Sequence, residues 1–138
     1  MTEEPSYFAL GCEFFDSLSY RHVMLDDGFV VELDVTDDLR GPGGAVHGGL
    51  LAMLVDVAGA ATVARATHRP VATASTSIQY LAAGRVGPLR AKGELLRASD
   101  ALAVVEVKIV DCGRDDRLLA AAHVTMRLLS GEGYVRQT

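Results

Sequence analysis

A chain of 138 residues is one domain's worth of polypeptide, large enough to bury a single good core. Its net charge of −5 and pI near 5.2 leave no basic footprint for a polyanion, which argues against nucleic acid as the main partner. Cys12 and Cys112 form no CxxC pair, and His22, His47, His68 and His123 show neither HxH nor HExxH spacing, so neither a disulfide framework nor a metal site is suggested.

The N-terminus, MTEEPSYFALGCEFF, starts acidic, and its short apolar stretch is interrupted by Gly11 and Glu13. That is not the pattern of a signal peptide, and a cytoplasmic protein is expected. Residues 1–19 hold a segment, Ser6 to Leu18, that can form an amphipathic helix through Tyr7, Phe8, Phe14, Phe15 and Leu18. Packing is its default role. Tyr20 to Leu25 and Phe29 to Thr36 then flank Asp27-Gly28, a hairpin signal. In the second of these strands Val31, Leu33 and Val35 alternate with Glu32, Asp34 and Thr36, one face dry and one wet. Asp37 to Gly44 is a loop rich in Gly and Pro, able to lay backbone against a ligand, although a simple surface turn would look the same.

From Gly48 to Ala64 the chain is almost wholly apolar or small, with Asp56 as its only charge. A run of that length without proline predicts a helix opening near Gly49, and apolar residues on all sides predict that protein wraps most of it. A membrane span is the rival. The run is marginal for a bilayer, and a mid-helix aspartate would add roughly 3 kcal/mol to insertion. The buried helix is the better reading. Asp56 must then be paired, hydrogen-bonded or beside a cavity. It is either a structural aspartate or a carboxylate tuned for chemistry.

After a break at Thr67 to Pro70, four strand-like segments follow: Val71 to Leu81, Leu89 to Ala98, Ala101 to Asp111 and Arg117 to Leu129. Ala103, Val105, Val107 and Ile109 make a dry face opposite Leu102, Val104, Glu106, Lys108 and Val110. Short connections predict that successive strands pair antiparallel, as a four-strand meander. Residues 131–138 read as a frayed tail. The expected architecture is α+β, a single domain of residues 1–138. A lone helix that is apolar all round needs a sheet curved about it, with burial completed by a second subunit.

The string Gly44-Ala45-Val46-His47-Gly48-Gly49, with Asp56 nine residues after the histidine and TASTSIQY from Thr73 to Tyr80, resembles the hotdog-fold acyl-CoA thioesterases of the phenylacetate-degradation (PaaI-like) type. The likeness runs from about Leu39 to Leu128. It implies a bent antiparallel sheet wrapped around a central helix, protomers paired into dimers, and often tetramers. It also implies hydrolysis of an acyl-CoA to a free acid and a thiol, with coenzyme A as part of the substrate and no metal or redox cofactor. Distance along the helix supports the dimer separately: His47 and Asp56, if both helical, lie roughly 13 Å apart along the axis. The acid of one chain would therefore serve the helix start of the other, in two equivalent sites.

In that scheme the Gly48 and Gly49 amides hold the thioester oxyanion, and Asp56 acts as base or as nucleophile. By resemblance, Thr73 helps to orient the attacking water; as a β-branched strand residue it could equally be structural. His47 orders the loop or the carbonyl, or is simply a structural histidine. Gly41, Gly44 and Val46 fall in the substrate-binding loop, and Leu50, Met53 and Leu54 line or abut the acyl group unless they serve only as core. Arg85, in a Gly-flanked turn, is the candidate contact for a CoA phosphate. One departure is Gly41, where related enzymes often carry an asparagine. It keeps open the alternative of a hotdog protein that binds acyl-CoA without turning it over. Acyl-carrier-protein thioesters, hotdog dehydratases and a membrane-associated helix are weaker readings.

Overall fold

The computed structural model describes residue 14 and residues 17–130. Most of the expected Ser6–Leu18 helix and the whole 131–138 tail lie outside them. In chain order the elements are β1 (Tyr20–Leu25), β2 (Gly28–Leu33), a 3-10 turn (Asp37–Leu39), α1 (Gly48–Thr67), β3 (Val71–Tyr80), β4 (Leu89–Ala98), β5 (Leu102–Asp111), a second 3-10 turn (Cys112–Arg114) and β6 (Arg117–Leu128). One six-stranded sheet runs in the order β1-β2-β4-β5-β6-β3, each strand antiparallel to its neighbours. Curved about a single helix, this is the hotdog arrangement that the sequence led us to expect.

Two local expectations need correction. Leu25 pairs directly with Gly28, so the turn residues are Asp26 and Asp27, and Gly28 already opens β2. Its φ of +133° is a conformation that favours glycine, which is why the glycine sits at the end of the turn rather than in its middle. The larger correction concerns β3, which does not form a hairpin with β4 but lies at the far edge against β6. Burial explains the difference. β4 begins with Leu89 and Ala91, both fully buried, whereas β3 exposes Thr73 to Ser77 without interruption. A strand that is dry at its start needs neighbours on both sides; a Thr/Ser-rich strand can sit at an edge. The amides of Leu81 and Ala82 bond to the Leu119 carbonyl, and the chain then crosses the end of the sheet to β4.

The helix packs on the concave side. Leu51, Leu54, Val55, Ala58 and Val63 are buried in one cluster with the dry face of Val105, Val107, Ile109, Val124 and Met126. Each fully buried Leu or Val of this set contributes about 1.5–3 kcal/mol of transfer free energy. Close approach depends on Gly93 in β4, where an added Cβ would stand 2.2 Å from Thr62 Oγ1. His47 caps the N-terminus, and His68, in the left-handed region at φ 55°, ends the helix. By length and composition α1 could cross a membrane, but here it is the core helix of the domain.

The described residues do not enclose the helix completely. Gly49 is exposed, and Leu50, Met53, Asp56 and Ala60 are only half-buried. These positions recur at helical spacing, so they form a single open stripe.

Candidate active site

The start of α1 is built by a glycine-rich turn. Arg40 and Val46 pair as an isolated antiparallel bridge, and between them the Gly41 amide donates to the Ala45 carbonyl at 2.8 Å. Gly43 and Gly44 have φ of +90° and +81°, the backbone reversal that only glycine makes without strain. Two guanidinium groups grip this turn. Arg40 Nη1 donates to the Gly44 carbonyl at 2.7 Å, and Arg85 Nη1 donates to the Gly43 carbonyl at 3.0 Å. Val46 is buried, and its amide donates to the Gly84 carbonyl at 2.9 Å.

His47 is the N-cap. Its Nδ1 accepts the Gly49 N–H at 3.0 Å, and its carbonyl accepts the Leu50 N–H at 2.9 Å. This divides the two amides named from sequence. The Gly49 N–H is already engaged by the imidazole, while the Gly48 N–H meets no acceptor among the described residues. The Gly48 carbonyl accepts from the Tyr80 hydroxyl at 3.3 Å, which brings the end of β3 against the start of the helix.

Asp56 lies on the half-open stripe of the same helix. Its Oδ1 accepts from Thr73 Oγ1 at 2.5 Å, its one hydrogen bond among the described residues. Thr73 stands on β3 beside a bulge between Thr73 and Ser75, so the edge strand turns its hydroxyl toward the helix. The carboxylate is half-buried, neither sealed in the core nor fully solvated. Gly49 and Asp56 occupy one helix face but sit about 10 Å apart along the axis.

A cleft of about 510 Å³ opens beside the helix start, walled by Leu39, Arg40, His47, Gly49, Leu50 and Met53. It therefore gathers four of the residues named from sequence, His47, Gly49, Leu50 and Met53. Asp56 and Thr73 form a separate pair, and Arg85 stands behind the glycine turn; none of the three lines the cleft. Gly41 has ordinary backbone and room for a side chain: an added Cβ would lie 3.8 Å from the Ala45 carbonyl oxygen and 4.0 Å from His47 Cδ2.

Comparison with known proteins decides the family. The model of the thioesterase superfamily matches residues 43–118, from the glycine turn to the first residues of β6. This chain belongs to the thioesterase superfamily. A Halobacterium salinarum protein, named as a candidate esterase, is 39% identical over an alignment of 76 residues that covers 51% of this chain and 50% of that protein. The chain thus spans about half the length of this curated relative. Among solved structures, a hypothetical thioesterase of Streptococcus pneumoniae with coenzyme A is 26% identical, with a TM-score of 0.76, covering 90% of this chain and 95% of the other. The PaaI protein of Escherichia coli, from the phenylacetic acid degradation operon, has a TM-score of 0.77 with coverage of 89% and 88%. At 19% identity that likeness speaks to the fold alone.

Two residues of this thioesterase-superfamily chain escaped the sequence reading. Arg40, on the turn and in the cleft wall, carries no motif. Asp111 does have a signal. It continues the inward phase of Ala103, Val105, Val107 and Ile109 and is completely buried, an acid on the dry face of a strand. Its Oδ2 accepts from the amides of Arg85 and Val86 at 2.9 and 3.1 Å, and its Oδ1 from those of Gly87 and Gly113 at 2.8 and 3.2 Å. Burial pushes its pKa up, but these four N–H donors together outweigh it and hold the carboxyl below the ordinary aspartate value.

Proposed function

We propose that this protein hydrolyses an acyl-CoA thioester to a free acid and coenzyme A, at sites shared between two copies of the chain. The observation that carries the reading is Asp56: a half-buried carboxylate, bonded to one hydroxyl, on the open stripe of the helix whose first amide, at Gly48, has no acceptor among the described residues. Family membership supplies the class of reaction. The coenzyme A bound to the Streptococcus pneumoniae structure supports the thiol component.

The Gly48 N–H, at the positive end of α1, polarises the thioester carbonyl and holds the developing oxyanion. Gly49 contributes less than sequence suggested, because His47 takes its hydrogen bond and orders the corner instead. Asp56 of the second copy either removes a proton from water or attacks the carbonyl carbon itself, and Thr73 holds the carboxylate in place. In favour of a homodimer, α1 lacks full cover along the Gly49–Ala60 stripe among the described residues, while β3 is an exposed edge ready for another strand. The acyl group lies against Leu50 and Met53, and Gly41, Gly44 and Val46 shape the turn beside it. Arg85, with one Nη on Gly43, keeps other N–H groups for a CoA phosphate. The reaction so written uses neither a metal nor a redox cofactor.

Gly48→Pro tests the oxyanion donor with little disturbance. Gly48 is the first helical residue, where proline is favoured, and the preceding His47 has φ −58° and ψ 133°, the extended backbone that a following proline requires. Thiol release from a panel of aryl, short and medium acyl-CoAs is expected to fall by about 10²-fold. Mixing Gly48→Pro with Asp56→Asn protein and allowing subunits to exchange is expected to restore about a quarter of wild-type activity, since half the dimers would carry one intact site. No recovery in exchanged dimers would sink the shared site. A wild type that binds CoA esters without releasing thiol would instead make this a binding protein, the reading that Gly41 keeps alive.

A further inference from the structure

Asp111 lies outside the cleft, yet its contacts lead to the glycine turn. It nails down the amides of Arg85, Val86 and Gly87 from one side, with Gly113 completing the set. The loop so held reaches the start of α1 by two separate links. The Gly84 carbonyl accepts the Val46 N–H at 2.9 Å, and Arg85 Nη1 donates to the Gly43 carbonyl at 3.0 Å. Val46 is the residue before the His47 cap. A shift of the 84–87 loop is therefore transmitted over two residues to the Gly48 amide.

We infer that Asp111 is a positioning residue: through the 84–87 loop and the Arg85 guanidinium it fixes the glycine turn, and so aims the Gly48 N–H at the substrate carbonyl. The inference rests on the thioester-hydrolase reading above. A carboxylate suits this task because each oxygen takes two N–H donors at once, and a charged acceptor makes these bonds stronger than neutral ones. It is buried completely, so water does not compete for the donors. Arg85 then has two duties, a strut to Gly43 with one nitrogen and, with the others, a contact to an anion. The two predict different kinetics, because a strut acts on kcat and a phosphate contact acts on KM.

The test uses full-length Asp111→Asn, Arg85→Gln and Arg85→Lys proteins, with thiol-release kinetics and amide NMR spectra of each. Asn keeps the shape but turns an NH₂ toward one pair of donors. For the folded Asp111→Asn protein, kcat is expected to fall about tenfold or more while KM changes less than about threefold. Arg85→Gln, at an exposed side chain, is expected to lower kcat about threefold, with partial recovery in Arg85→Lys. The double variant Asp111→Asn/Arg85→Gln is expected to be no slower than Asp111→Asn alone, because both act on one strut. Amide signals of Gly43, Gly44 and Gly48 should move in both single variants while those of the β1–β2 hairpin stay put, a change that general loosening would not produce. Wild-type kcat in a folded Asp111→Asn protein overturns the inference. If Asp111→Asn does not fold, Arg85→Gln decides: a change in KM alone, with no shift at Gly48, overturns it. A wild type without thiol release would remove the hydrolase reading, and the Gly48 amide shift would still support or refute the strut.

Discussion

Two aspartates sit among apolar residues in this chain, and their surroundings differ in kind. Asp111 is sealed at the end of β5 with four backbone N–H donors on its two oxygens. Asp56 is half-exposed on the helix with one hydroxyl donor. A carboxylate whose acceptor sites are filled by fixed amides has nothing left to offer a substrate, and its work is to hold backbone. One that is short of donors, on a surface a second copy can cover, keeps lone pairs for water or for a carbonyl carbon. The lesson is that burial of an acid says little by itself; the number and rigidity of its donors say what it is for.

Substitutions at the two sites should therefore separate activity from stability. Asp56→Asn, nearly isosteric and still able to accept from Thr73, is expected to lower kcat by about 10³-fold with the melting temperature within about 2 °C of wild type, read by thiol release and thermal unfolding. Asp111→Asn should reverse that balance in stability, costing about 3 kcal/mol of unfolding free energy in denaturant titration. A melting point unchanged in Asp111→Asn, or badly lowered in Asp56→Asn, would break the contrast.

Acid sharpens it further. The folded pKa of Asp111 lies below its unfolded value, so its contribution is fully present above the ordinary aspartate range and is lost as pH falls through the folded value. The stability gap between wild type and Asp111→Asn is thus expected to be constant near neutrality and to close below about pH 4. A gap that persists unchanged into acid would mean that the amides do not favour the charged form.

Smaller effects test what surrounds Asp56. Thr73→Val removes its hydroxyl donor and is expected to lower kcat about fivefold, the scale of one hydrogen bond, with little change in KM. Gly41→Asn should be the mildest. The backbone there is ordinary and a side chain fits beside His47, so folding is expected to hold, with kcat unchanged or raised up to about threefold. A collapse of stability in Gly41→Asn would show that the glycine serves the turn and not the chemistry.

Much of this was legible in the residues. The long apolar run without proline read as a helix because no strand is that long, and as a buried one rather than a membrane span because of its marginal length and mid-helix aspartate, and β4 starts and ends where its turn residues place it. The dry face of β5 was readable from alternation, since a period of two is imposed by the pleat. The GGAVHGG corner and Asp56 stood out because glycine clusters and a lone acid in an apolar run are rare in combination. Arg40 was missed because its bond to the Gly44 carbonyl depends on how the glycine turn folds back, and Asp111, although its phase on β5 marks it as buried, because three of its four backbone partners lie 24 to 26 residues away.

Local chemistry, then, determined the helix, the strands and the residues at its two ends of interest, since periodicity, turns and caps act over a few neighbours. Tertiary packing alone decided that β3 leaves β4 for the edge beside β6, that the Tyr80 hydroxyl meets the Gly48 carbonyl, and that a buried acid on β5 holds the loop behind the glycine turn. Strand order and donor sharing depend on which surfaces remain unsatisfied after every other element has packed, and that competition is settled by the whole chain at once.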